Sequence, residues 1–99
     1  MTGVQGITRY ESMLNHLNTW FGAMHTLTIH ISCILANHIF YTLQTMKPKN
    51  KKVIVYENMN TKQLLKKALE HLDNASKNCI NMHYCQKINL DMTLIRKYL

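Results

Sequence analysis

Apolar residues along this chain recur at helical spacing, then alternate, then recur again. Met13, Leu14, Leu17, Trp20, Phe21 and Met24 recur at the helical period, the pattern of an amphipathic helix. Thr8 stands three residues before Glu11 as in a capping box, and Gly22 can supply a left-handed end, so a first helix is predicted over 9–22. Leu27, Ile29, Ile31 and Cys33 then alternate with Thr26, Thr28, His30 and Ser32, which predicts a strand over 26–32. Met24, Leu27, Ile31, Ile34 and Leu35 also fit a helical stripe, so one helix over 24–46 is the competing reading. Leu35, Ile39, Phe40, Leu43 and Met46 carry a helix that must stop before Pro48.

The second half is patterned more plainly. Val53-Ile54-Val55-Tyr56 predicts a strand within 52–57, and Asn60 with Gln63 three residues on is a helix-start signal. Leu64, Leu65, Ala68, Leu69 and Leu72 then line one face of a helix over 61–75. Ile80, Met82 and Tyr84 alternate with polar residues, predicting a short strand over 79–84. Leu90, Leu94, Ile95 and Tyr98 predict a final helix over 90–99. The sum is a small single α+β domain: an N-terminal helix, a β-α-β-α-β unit and a C-terminal helix. A right-handed crossover would set strand 79–84 parallel to strand 52–57. The alternative is an all-α bundle.

Charge changes the picture. The 99 residues carry a formal net charge of +7, yet Ser12 to Met46 contains no Asp, Glu, Lys or Arg. Seven lysines, Lys47, Lys49, Lys51, Lys52, Lys62, Lys66 and Lys67, fall within 47–67 against the single acid Glu57. If both clusters reach one side, they form a surface that neutralises phosphates and releases counterions. The expected function is low-specificity binding of RNA or DNA backbone, because lysine is a point charge and arginine, the bidentate base reader, is scarce. Tyr56 borders the patch as a candidate stacking platform, with Tyr41 and Tyr84 as others if exposed. The competing reading of the lysines is a solvated face that keeps a small protein soluble.

Chemistry is poorly provided for. His25, His30 and His38 have no carboxylate near them in sequence to orient a catalytic imidazole, so the chain reads as no enzyme and no cofactor is expected. Cys79, His83 and Cys85 lack the knuckle spacing of a zinc site, and core cysteines with a surface histidine are the better reading. Three cysteines without framework spacing fit a reducing compartment, cytoplasmic or nuclear. Trp20 to Leu43 is uncharged over the length of a membrane span. However, His25, His30, Asn37 and His38 would be costly in hydrocarbon, so a buried core is expected instead.

The neutral N-terminal half also offers more apolar surface than a small core absorbs. A homodimer through Met13, Leu17, Trp20, Phe21 and Met24 is therefore expected. The alternative function is a protein-interaction or regulatory module acting through 12–46, and an acidic protein partner could use the same lysines.

Overall fold

Four helices and one short hairpin make up the chain in the computed structural model, which describes residues 3–50 and 52–99. In order they are α1 (Gly3–Phe21), α2 (Thr26–Met46), β1 (Ile54–Tyr56), β2 (Met59–Asn60), α3 (Thr61–Asn78) and α4 (Met82–Arg96). Each helix packs chiefly on the next, so α2 lies between α1 and α3, and α4 packs on α3 while also touching α2.

Cross-links fix the directions. His38, late in α2, donates from Nε2 to the Gly3 carbonyl at the start of α1 over 2.9 Å, so α1 and α2 run antiparallel. Leu43 and Gln44 of α2 share a small cavity with Thr61 and Leu65 of α3, which makes α2 and α3 antiparallel as well. Tyr98, just beyond α4, lines that same cavity and meets the Phe40 ring edge-on at 5.1 Å. The helices thus alternate in direction. One end of the bundle collects the start of α1, the end of α2, the hairpin, the start of α3 and the end of α4.

The predicted strand over 26–32 is helix. Alternation is a strand signal only when one face is buried, and α2 is buried on two. Ile29, Ile31, Cys33, Leu35, Ala36 and Ile39 sink into the core together with Thr28, Ser32 and Thr42. Ser32 Oγ donates to the Thr28 carbonyl at 2.9 Å, the back-bond that lets a hydroxyl sit inside a helix. By length and composition α2 could cross a membrane, but just over half of its most apolar window, 56%, is buried against the rest of the fold.

The strand expected over 79–84 is absent too. Residues 79–81 form the connection, and Asn81 caps α4 by accepting from the Tyr84 amide at 3.0 Å. With two of its three strands replaced, the β-α-β-α-β unit does not form. The only sheet among the described residues is β1 against β2, antiparallel, with Ile54 opposite Asn60 and Tyr56 opposite Met59. The reading of 24–46 as one helix matches α2, while the VIVY segment keeps its strand. The result is a mostly helical domain with a small hairpin.

Other features follow the chain closely. Asn60 Oδ1 accepts from the Gln63 amide at 3.0 Å and Gln63 Oε1 from the Asn60 amide at 2.9 Å, a complete capping box for α3. Leu64, Leu65, Ala68 and Leu72 are at most 2% exposed. The Thr8–Glu11 pair, by contrast, lies inside α1, which is already helical at Gly3. In α4 the buried residues are Ile88, Met92 and Ile95, whereas Leu90 faces solvent.

Candidate functional site

Lys47, Lys49 and Lys52 and the first lysines of α3 meet at one end of the bundle. Lys47 closes α2 in a left-handed conformation, its amide bonded to the Leu43 carbonyl, and Pro48 prevents the helix from going on. Lys49 and Lys52 follow in the exposed loop to the hairpin, and Lys62 lies in the first turn of α3 with Lys66 one turn on. Lys51 lies outside the described residues. Antiparallel packing adds Arg96 from the last turn of α4 and Lys97, which caps it, both exposed. Among the described residues the one ion pair is Lys77 with Asp73, 3.0 Å apart in the last turns of α3, so these lysines are uncompensated at contact range.

Lys67 departs from the group. It is half-buried, and its charge acts on Glu11 of α1 and on His71 one turn below. Burial raises the Glu11 carboxyl above its usual range, Lys67 draws it partly back, and Glu57 pushes it up. Burial, then Lys67, hold His71 below the ordinary imidazole value. Lys67 therefore faces inward electrostatically, where its two neighbours on the patch do not.

Tyr56 is 6% exposed and bonded to the hydroxyl of Thr8, so it is a core tyrosine and no stacking platform. The exposed rings toward this end are Tyr41, 67% exposed on α2, and Tyr98. Neither the two basic residues of α4 nor Tyr98 is legible as part of the site without helix directions. The one available signal was cationic residues in the final turn of a helix, where they complement its dipole.

The opposite end is apolar. Of the predicted contact residues, Met13, Trp20, Phe21 and Met24 are exposed and Leu17 is half-buried. Leu27, Ile80 and Met82 join them, Ile80 with 95% of its surface free. A cleft of ≈460 Å³ opens there, walled by Met24, Leu27, Ile29, Ile80 and Tyr84. At its side His30 Nδ1 lies 3.2 Å from the Tyr84 hydroxyl. Burial, with Cys33 next to it, pushes the Tyr84 phenol up to about 12.

Burial also raises the Cys33 thiol, and contact with the Cys79 thiol raises Cys85. Both stay protonated at neutral pH and are poor nucleophiles. Cys79, His83 and Cys85 do not assemble into a metal-holding group, and no such group occurs among the described residues. No known protein family, curated protein or solved structure matches the chain.

Proposed function

We propose that this chain binds the backbone of RNA or DNA with little sequence selectivity, through Lys47, Lys49, Lys52, Lys62 and Lys66 with Arg96 and Lys97. The observation that supports it is the gathering of these exposed cations at one end without an ion-paired carboxylate among the described residues. Each phosphate neutralised releases a counterion, so affinity falls steeply with salt. Tyr41 and Tyr98 supply the ring faces for unpaired bases. The reading assigns the chain no catalysis and no cofactor, and a cytoplasmic or nuclear location in which its thiols stay reduced.

Fluorescence anisotropy with labelled single-stranded RNA and duplex DNA over a salt series tests it. Binding should weaken along a linear log–log slope, and Lys62→Ala with Lys66→Ala should reduce that slope by about 0.7–0.9 per lysine. Absence of binding at low salt would reject the reading.

A second reading is favoured by the apolar end, where Trp20, Met24, Ile80 and Met82 are each more than two-thirds exposed. Surfaces of this kind mark contact with a partner. A homodimer through Met13, Trp20, Phe21 and Met24 joins two segments that carry no formal charge and leaves the cationic ends apart. Ile80→Asp should then convert a dimer to a monomer in sedimentation; a monomeric wild type removes this reading. An acidic protein is the alternative ligand of the lysines, and competition between it and nucleic acid would reveal it.

A further inference from the structure

The chain's three cysteines, all free thiols, gather where α3 gives way to α4, although one of them belongs to α2. Cys85, in the first turn of α4, donates its thiol to the Cys79 carbonyl at 3.3 Å. Its sulfur also lies within hydrogen-bond reach of the Cys79 sulfur. Cys33 is near enough to feel the charge of Cys79. Burial separates the three. Cys33 is 7% exposed, whereas Cys79 and Cys85 are half-buried, and Cys79 lines the ≈460 Å³ cleft of the apolar end.

Two adjacent helix caps hold the pair in place. The Cys79 amide bonds to the Ser76 carbonyl at 3.4 Å and closes α3. Asn81 caps α4 with its side chain, and its carbonyl receives the Cys85 amide at 2.9 Å. The two thiols are thus set against each other with only residues 80–84 between them in sequence. Thiol–disulfide exchange needs an accessible attacking thiol and a second thiol poised beside it to resolve the mixed disulfide. Cys79 and Cys85 meet both requirements, and buried Cys33 does not.

We propose that Cys79 and Cys85 form a thiol–disulfide exchange site, which small disulfides of the glutathione type close into an intramolecular bridge. Cys79, open to the cleft, releases its proton to water and attacks one sulfur of the small disulfide. That S–S bond breaks, one glutathione thiolate leaves, and a mixed disulfide forms on Cys79. Cys85 then gives its proton to the released thiolate and attacks the Cys79 sulfur. The second glutathione departs and takes back a proton from water. Two cysteine thiols are oxidised, and one glutathione disulfide is reduced to two thiols.

In a reducing compartment the pair rests as the dithiol and closes only as the oxidised fraction rises, as redox-sensing disulfides there do. The bridge ties the end of α3 to the first turn of α4. It encloses Ile80 and Met82, both exposed at the apolar end. Neither the lysines nor nucleic acid enters this chemistry, so it stands apart from the backbone-binding reading.

The test treats the full chain with oxidised glutathione, quenches it by alkylation and maps its cysteines by peptide mass. The wild type should become lighter by two hydrogen atoms and yield a Cys79–Cys85 linkage, with Cys33 still free. Its melting temperature should rise by roughly 5–15 °C, because a closed loop restrains the unfolded chain, and a dithiol reductant should reverse the rise. Cys85→Ser lacks the resolving thiol and should stop at a glutathione adduct on Cys79. Cys79→Ser should gain an adduct at least about tenfold more slowly than Cys85→Ser. Alkylation of the reduced wild type needs no variant, and Cys79 should react at least about tenfold faster than Cys33.

A wild type that stays reduced, that halts at the mixed disulfide or that links Cys33 to Cys79 would overturn the proposal. So would a Cys79–Cys85 bridge that lowers the melting temperature, since the pair would then not be set for closure.

Discussion

The hydroxyls of Thr8 and Tyr56 lie 2.9 Å apart and join the first helix to the hairpin across 48 residues of sequence. Burial raises the Tyr56 phenol, with the Thr8 bond acting the other way, and nearby Glu11 and Glu57 add to the rise. The ring is a structural strut. Tyr56→Phe should cost about 0.5–1.5 kcal/mol in urea unfolding and leave nucleic-acid affinity unchanged. A loss of affinity with full stability would return Tyr56 to the binding surface.

Gly6 is needed for a close approach. A Cβ there would come within 2.2 Å of His38 Nε2, the atom that donates to Gly3. Alanine usually favours a helix interior over glycine by about 1 kcal/mol, yet here overpacking reverses the sign. Gly6→Ala should destabilise by about 1–3 kcal/mol. In a His38→Ala background most of that penalty should vanish, a coupling that a double-mutant cycle measures.

Acid should weaken the fold through His71. Its pKa is lowered from 6.5 in the folded state by burial first and Lys67 second, so the unfolded chain takes up the proton first. Its contribution is complete above 6.5 and is lost as pH falls through 6.5 toward the lower folded value. Glu11 acts in the opposite sense. Its folded pKa lies above 4.5, so stability rises as pH drops from that raised value toward 4.5. Thermal melts between about pH 7 and 5.5 isolate the histidine, and His71→Gln should flatten the decline there.

Lys67 should be dispensable for nucleic acid. Its charge is directed at Glu11 and His71, unlike that of Lys66 beside it. Lys67→Ala should leave the salt slope intact, while Lys66→Ala should lower it by about 0.7–0.9. Equal effects from the two would mean that Lys67 swings out to meet phosphate.

Local signals were readable where one face of an element meets water. Asn60 with Gln63 and the Leu64–Leu72 stripe on α3 lie as their spacing predicts, because α3 exposes its lysines on the other side. α2 defeated the same reasoning: helices cover it on two sides, so Thr28, Ser32 and Thr42 are buried beside the isoleucines and no clean period survives. In α4 the more conspicuous leucines, Leu90 and Leu94, are the exposed ones. The addition of Arg96 and Lys97 to the basic end depends on helix directions, which no stretch of sequence declares.

The molecule is 39 Å in its longest dimension, with cations gathered at one end of the bundle and Trp20, Ile80 and Met82 exposed at the other. On the proposed reading, such a body would alight on a polyanion in one orientation. Its greasy tip would then point into solution, so each docked copy would become a tether to whatever wets that tip, and a decorated filament would gather further filaments side by side.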